Sequence, residues 1–284
     1  MPRSGPRSGL SLLAPFFFLS YGFASWLAAQ QQEEVGSIVF AWEQQIPFLA
    51  WTIVPYWSID LFYGLALFLC RSRLEVDSVA KRLFTAQVIA VACFILFPLQ
   101  LAVERPAMSG LTATLFAWLE SFDKSYNLAP SLHIALLVIL WQLYAQYVPR
   151  RWAWALHGWF ALIGLSVLTT YQHHFIDVPT GALLGWFCVW LWPEQGGPAF
   201  AGFRPARSRK AWRLAAAYAL GAIAAAGVAL AFGGWLLWLL WVSVALALVA
   251  AAYGGLGPAV FQKGADGRMG AAARCLLAPY LAAA

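Results

Sequence analysis

Charged residues are scarce in this chain. Only 11% of its 284 residues are Asp, Glu, Lys or Arg, and 62% are hydrophobic, whereas a soluble domain has about 25% charged residues. This composition excludes water as the main solvent. Apolar runs of roughly 20 residues, the length that crosses about 30 Å of hydrocarbon, recur along the chain. The sequence therefore predicts an all-α polytopic membrane protein.

Cysteine and histidine are also few, with four of each. Cys70, Cys93, Cys188 and Cys275 lie in or beside apolar segments without metal-ligand spacing, so they are interpreted as small hydrophobic residues. The histidines include no HExxH pair, and they are too few for a multi-histidine oxygenase. We expect neither a metal nor a cofactor.

The N-terminal segment resembles a signal peptide, because Arg3 and Arg7 precede an apolar run that starts at Leu10. Residues 28–30 only weakly permit cleavage. We favour an uncleaved signal anchor, since removing this run would invert the charge pattern of the remaining chain.

The apolar runs predict eight membrane spans. The loop at 30–48 would contain a short interfacial helix around Trp42 or be a plain connection. The spans fall at about 10–29, 51–70, 83–102, 131–148, 152–171, 176–193, 212–232 and 234–253.

Cations are nearly absent from one side of this arrangement. If the N-terminus is cytoplasmic, all but two of the 18 lysines and arginines lie inside, as the positive-inside rule requires. The expected topology is N-in, C-in, in a bacterial inner membrane or its equivalent. The net charge of +6 then reflects topology, and we expect no nucleic-acid partner. The two external cations are Arg105 and Lys124.

The segment at 194–211 is rich in Gly, Pro and Arg, which is typical of a flexible cytoplasmic linker. It divides the chain into a six-span core at 1–193 and an appendage at 212–284. The appendage contains two spans and a cytoplasmic C-terminal tail.

Three polar clusters emerge at the predicted outer face: FPLQLAVERPA after span three, NLAPSLHIAL at the start of span four, and TTYQHHFIDVPTG between spans five and six. Ionisable groups at this depth are costly unless they pair or line a wet cavity. Each cluster is therefore a candidate functional site.

His173 and Asp177 have i, i+4 spacing, so on a helix the carboxylate can hold one imidazole N–H. The opposite nitrogen can then attack phosphorus or abstract a proton. The alternative is a helix-capping pair at the membrane interface. His174 points elsewhere on the helix and is expected to support the site.

His133 follows Pro130 and Ser131 at the start of a span, where helix N–H groups favour an anion. It could protonate a departing alkoxide, or it could simply pack at the interface. Arg105 suits phosphate oxygens, or it pairs with Glu104 or lipid headgroups. Lys124, beside Asp123, is interpreted as an ordinary loop charge.

These residues resemble the type 2 phosphatidic acid phosphatase superfamily, whose motifs read K-x6-R-P, P-S-G-H and S-R-x5-H-x3-D. Arg105-Pro106 resembles the end of the first motif, residues 130–133 the second and residues 166–177 the third. The resemblance covers about residues 50–193 and implies a six-helix phosphatase-like core. It also implies that His173 is the nucleophile, Asp177 orients it, His133 protonates the leaving group, and Arg105 and Ser131 bind phosphate. Supporting roles would fall to His174, Ser166, Tyr171 and Gln172.

Three positions depart from the motifs: Pro98 replaces the lysine, Leu132 the glycine and Val167 the arginine. Fewer cations suit a monoanionic phosphate diester better than a dianionic monoester. The A-P-S-L-H and Q-H-H-F-I-D-V forms resemble the branch that contains inositol phosphorylceramide synthase and sphingomyelin synthase. That branch implies a membrane phospholipid substrate and an alcohol or second lipid as acceptor.

The sequence thus predicts a metal-independent lipid phosphatase or lipid headgroup phosphotransferase. Two other functions stay open. A lipid transporter or flippase would use the intramembrane ionisable residues for binding or proton coupling. The protein could instead be a catalytically inactive lipid-binding protein, in which the missing cations reflect loss of a catalytic site.

Overall fold

A computed structural model describes residues 6–30, 35–122, 126–194 and 198–283. It is 75% helical, and none of the described residues lies in a β-strand, which places the protein in the all-α class. The α-helices are α1 Pro6–Gln30, α2 Ile53–Leu69, α3 Arg73–Leu96, α4 Gly110–Phe122, α5 Leu132–Tyr147, α6 Ala153–Thr169, α7 Asp177–Leu191, α8 Arg209–Phe232, α9 Leu239–Ala251 and α10 Ala271–Ala283.

Five helical segments are long and apolar enough to cross a membrane by length and composition, which makes the protein a helical membrane protein. Helix α2 illustrates their character, because Leu61, Leu65 and Phe68 form an exposed apolar stripe along one face. Such a stripe is stable against lipid but not against water. The segments are Ala50–Leu69, Arg73–Leu96, Arg150–Thr169, Arg209–Phe232 and Gly234–Phe261, with shorter apolar helices at Leu132–Tyr147, Asp177–Leu191 and Ala271–Ala283.

Most predicted spans coincide with a helix to within a few residues, but the third does not. The predicted span at 83–102 is replaced by α3, which begins at Arg73 and ends at Leu96. Ser72 caps α3 by accepting a hydrogen bond from the Glu75 N–H at 3.1 Å. Pro98 explains the early end, because the residue before a proline avoids helical backbone, and Phe97 has ψ 65°.

The register of α3 also changes the position of Arg82. The predicted span at 83–102 leaves Arg82 just before the membrane segment on the inner side, whereas it lies inside α3 with only 2% of its surface exposed. The predicted start of this span was wrong, because the adjacent basic residues 81 and 82 favoured a boundary after them. Arg82 is part of the core and does not mark a loop.

The residues after α3 are extended, although they were expected to complete a span. Leu99 forms a parallel bridge with Gly36, and the Gln100 N–H donates to the Gly36 carbonyl at 2.9 Å. The loop before α2 contains a short 3-10 helix at Ala41–Gln45, close to the short helix expected around Trp42. These two segments lie beside the functional site.

Two compact units divide the chain, residues 1–188 and 189–284. In the first unit α5 is an interior helix, because half of its 16 residues are buried on all sides. Helix α7 packs closely on α5 through two glycines. A Cβ at Gly185 would lie 2.7 Å from the Val138 Cβ, and one at Gly181 would collide with the Ser131 carbonyl oxygen.

The second unit contains α8 and α9 as an antiparallel pair. Consecutive glycines with positive φ, Gly233 and Gly234, make the turn between them. Trp241 on α9 donates to the Cys275 carbonyl on α10 at 2.9 Å, so the expected C-terminal tail contains a packed helix. A cavity of about 740 Å³ in this unit is lined by Tyr253, Lys263 and Tyr280 among others, and it contains none of the sequence-predicted site residues.

Part of the predicted linker is also ordered. The Arg204 N–H donates to the Gly255 carbonyl at 3.0 Å, and the Ala206 N–H donates to the Gly254 carbonyl at 3.1 Å. Gly255 has φ 151°, a conformation that other residues rarely adopt.

Candidate functional site

The three polar clusters predicted from sequence meet in the first unit. Ser131 stands at the N-cap of α5, and Asp177 is the first residue of α7. The turn from α6 to α7 carries His173. The Ser131 N–H donates to the Asp177 carbonyl at 3.1 Å, which connects the starts of α5 and α7.

His173 and Asp177 form the expected pair, with Nδ1 3.2 Å from Oδ2. The contact arises where a turn meets the first residue of α7, and not along a continuous helix. A carboxylate only accepts hydrogen bonds, so the imidazole carries its proton on Nδ1 and keeps a lone pair on Nε2. Oδ2 also accepts the His174 N–H at 2.8 Å, which fixes the carboxylate.

Ser131 completes the arrangement on the other side of the imidazole. Its Oγ lies 3.0 Å from His173 Nε2, and it accepts the Ile134 N–H at 3.3 Å as the cap of α5. The hydroxyl proton therefore points at Nε2. A phosphate oxygen that replaced this imidazole contact would receive the serine O–H at the positive end of a helix.

His133 lies one residue inside α5, and its ring stacks on the Tyr56 ring with centroids 4.1 Å apart. Its Nε2 is buried and has no hydrogen-bond partner among the described residues. His133 and His173 line the same cavity. The two imidazoles thus approach one space, His133 from the start of α5 and His173 from the turn between α6 and α7.

Arg105 reaches the site, but its guanidinium is held by protein groups. Nε and Nη2 donate to the Tyr171 carbonyl at 3.3 and 3.1 Å, and Nη1 donates to Glu120 Oε1 at 2.5 Å. Its charge also lies over the Phe116 ring. The acidic partner is Glu120 on the unpredicted helix α4, and not Glu104. Arg105 fastens the turn that carries His173, and phosphate binding by Arg105 stays a prediction.

The turn itself depends on Tyr171, which has a left-handed backbone with φ 52°. The Val167 carbonyl accepts the N–H groups of both Gln172 and His173 at 3.1 Å, as in a helix C-terminal motif. The Tyr171 hydroxyl donates to the Ile46 carbonyl at 2.8 Å. These bonds compensate a conformation that is unfavourable for residues other than glycine.

Two expected supporting residues lie behind the site. Ser166 is fully buried in α6, where its hydroxyl donates to the Ile163 carbonyl at 2.6 Å. Gln172 is buried, and its Nε2 has no partner among the described residues. Val167, at the position of the third-motif arginine, is also fully buried. Lys124 and Asp123 lie outside the described residues.

Sequence reasoning missed Glu43. Its Oε2 lies 3.2 Å from His174 Nδ1 and accepts the Phe175 N–H at 2.9 Å, and its Oε1 accepts the Phe40 N–H at 2.8 Å. His174 Nε2 accepts the Ala102 N–H at 3.1 Å. Glu43 lies beside Trp42 in the loop where a short helix was expected, but no spacing in the sequence connects it to His174.

Comparison of the chain with protein-family models, curated proteins and solved structures found no match.

Proposed function

We propose that this protein is a membrane enzyme that cleaves a lipid phosphate ester through a phosphohistidine on His173. The observation that carries the proposal is the chain of contacts from Ser131 through His173 to Asp177, with His133 on the same cavity. Nucleophile, orienting carboxylate and proton donor are the three roles that phosphoryl transfer through a covalent intermediate requires.

In the first step the Nε2 lone pair of His173 attacks phosphorus, and the bond from phosphorus to the leaving oxygen breaks. The protonated His133 gives its Nε2 proton to that oxygen. An anionic phosphate beside the ring favours this protonated form. Asp177 keeps the Nδ1–H of His173 in place and stabilises the positive charge that develops on the ring.

In the second step an acceptor hydroxyl gives its proton to His133, and its oxygen attacks phosphorus as the Nε2–P bond breaks. Water as the acceptor gives hydrolysis, and an alcohol gives headgroup transfer. Ser131 and the start of α5 donate hydrogen bonds to the phosphate oxygens in both steps.

The charge of the site favours a phosphate diester. Arg105 already donates to two backbone carbonyls and to Glu120. Little of its positive charge is therefore available to neutralise a second negative charge on the phosphate. Pro98, Leu132 and Val167, the three residues that depart from the motifs, add no positive charge to the site. A monoanionic diester needs less compensation than a dianionic monoester, which favours phospholipid headgroup transfer over phosphatidic acid hydrolysis.

The proposal includes a membrane arrangement. Helices α1, α2, α3, α5, α6 and α7 would form a six-span phosphatase-like core, and α8 and α9 would add two spans with both termini inside. The site would then face the outer side of a bacterial inner membrane or its equivalent. The basic segment at 204–213 supports this orientation.

A second candidate is hydrolysis of a lipid acyl ester with Ser131 as the nucleophile. The 3.0 Å contact of Ser131 Oγ with His173 Nε2 favours it, since serine, imidazole and carboxylate in this order form a hydrolase triad. The role of Ser131 as the α5 cap favours the phosphoryl reaction instead, because its Oγ accepts the Ile134 N–H.

Both candidates are tested by incubating the purified full-length protein with ³²P-labelled phosphatidic acid, phosphatidylglycerol and phosphatidylinositol. We expect acid-labile, base-stable label on the protein and loss of turnover in His173→Ala. The matched control is His157→Ala, because His157 accepts a hydrogen bond from Trp141 outside the candidate cavity.

Turnover that persists in His173→Ala would refute the phosphohistidine. Release of fatty acid, with loss of that release in Ser131→Ala, would establish the acyl hydrolase instead. Inorganic phosphate from phosphatidic acid, or a labelled phosphate monoester from either diester, indicates hydrolysis, and a new labelled ester of the acceptor alcohol indicates transfer.

A further inference from the structure

A small cavity extends from the two histidines between α1, α2, α4 and α5. Its volume is about 60 Å³, room for roughly four water-sized groups. Most of its wall is apolar or aromatic, with Tyr56, Leu119 and Leu136 among the lining residues. Among the described lining residues, the polar ones are Asn127, Asp60, the two histidines and the tyrosines.

Asn127 is the unusual member of this wall. It is only 3% exposed, and its Nδ2 donates to Ser25 Oγ at 2.6 Å and to the Tyr21 carbonyl at 3.2 Å. A carbonyl only accepts hydrogen bonds, so these contacts fix which end of the amide is nitrogen. Its Oδ1 is buried without a hydrogen-bond partner among the described residues.

A second polar atom in the cavity wall adds to the excess of hydrogen-bond acceptors. His133 Nε2 is a second buried atom without a partner in the described part of the chain, and His133 lines the same wall as Asn127. An amide oxygen is an acceptor, as is the imidazole nitrogen when neutral. The cavity is therefore matched by a ligand that brings hydrogen-bond donors.

We propose that this cavity is the subsite for the acceptor alcohol, and that Asn127 Oδ1 selects alcohols with a second hydrogen-bond donor beside the reacting hydroxyl. This inference rests on the proposed function. The reacting hydroxyl gives its proton to His133 Nε2, its oxygen bonds to phosphorus, and the phosphorus bond to His173 Nε2 breaks. The neighbouring donor bonds to Asn127 Oδ1, and the apolar wall receives the alkyl chain.

The test measures transfer from the three labelled phospholipids to a pair of matched alcohols. The first is ethylene glycol, and the second is 2-methoxyethanol, which keeps the second oxygen but cannot donate from it. For the wild-type protein we expect kcat/KM to be about tenfold higher for the diol, the effect of a hydrogen bond that only one of the two substrates can make.

Two variants separate the acceptor role of Asn127 from its structural role. In Asn127→Leu we expect the diol preference to fall to about unity, because neither alcohol can then make the additional hydrogen bond. Ser25→Ala removes one bond to Nδ2 but leaves Oδ1 in place, so this control should keep the diol preference.

Equal kcat/KM values for the two alcohols in the wild-type protein overturn the inference even if Asn127→Leu does not fold. A preference that survives in folded Asn127→Leu also overturns it. His173-dependent hydrolysis without transfer to either alcohol, seen as inorganic phosphate from phosphatidic acid or a labelled phosphate monoester from the diesters, refutes the subsite and leaves the phosphohistidine proposal standing. Absence of any His173-dependent turnover refutes that proposal and this inference together.

Discussion

The two adjacent histidines in the turn before α7 differ in the hydrogen-bond partners of their ring nitrogens. Nδ1 of His173 contacts Asp177, and among the described residues its Nε2 contacts the Ser131 hydroxyl alone. His174 has both nitrogens engaged, one by Glu43 and one by the Ala102 N–H. In the proposed function a phosphate replaces Ser131 at His173, whereas His174 connects three chain segments.

Glu43 should therefore contribute more to stability than an exposed acid does. In Glu43→Gln one carboxylate oxygen becomes an NH₂ group that faces N–H donors, and we expect the free energy of unfolding to fall by about 2 kcal/mol. Denaturant unfolding in detergent, followed by near-ultraviolet circular dichroism, measures the change.

The matched control is Glu120→Gln, because Glu120 pairs with Arg105 but its side chain is 55% exposed. We expect a loss below about 1 kcal/mol there. Equal losses in the two variants would mean that the Glu43 network does not stabilise the site.

At the scale of elements, the turn between α6 and α7 is held from outside by Arg105. Arg105→Lys keeps the positive charge but cannot reproduce the fork that donates to Thr170, Tyr171 and Glu120. We expect kcat to fall about tenfold with little change in KM, because the turn positions His173. Steady-state kinetics with the best labelled phospholipid measures both constants.

Arg151→Lys is the control for a general loss of arginine, since Arg151 is exposed in a 3-10 helix before α6. A large rise in KM with unchanged kcat in Arg105→Lys would contradict the positioning role and support direct contact with the phosphate.

The contact of α7 with α5 is a second requirement of the site. Gly181→Ala places a methyl group against the Ser131 carbonyl oxygen, which pushes α7 away from the cap of α5. We expect a loss of about 1 to 3 kcal/mol in unfolding free energy. Turnover should also fall, because Ser131 caps α5 and His173 lies in the turn that leads into α7.

Gly158→Ala provides the control, since no atom lies within 4 Å of the added methyl group there. Wild-type stability and turnover in Gly181→Ala would show that the helices tolerate the separation.

Helix positions were largely predictable because long apolar runs leave few other structures in a membrane. The third span was misplaced because its start was predicted after the basic residues Lys81 and Arg82, and Pro98 ends the helix earlier. The contact of His173 with Asp177 was predicted from their i, i+4 spacing, although it forms in a turn. Ser131 was included through the motif resemblance. Glu43 was not, because its partner His174 lies 131 positions away, and pairing over that distance is set by tertiary structure alone.

At the scale of the whole molecule, the distribution of basic residues determines the expected orientation. Replacing the four native cysteines with alanine and introducing Ser37→Cys or Arg207→Cys gives two exposed probes. In intact cells we expect a membrane-impermeant maleimide to label position 37 and not position 207. Labelling after cell lysis shows that both thiols are reactive. Labelling of position 207 and not position 37 in intact cells would indicate the opposite topology.

The Glu43 bond to the Phe175 N–H also has a consequence for biosynthesis. The ribosome makes residue 43 before α2 and residue 175 after α6, so this bond cannot form until α2 to α6 have been synthesised. A nascent chain that stalls after α5 contains Ser131 and His133 but lacks His173. Under the proposed function, such a chain lacks its nucleophile.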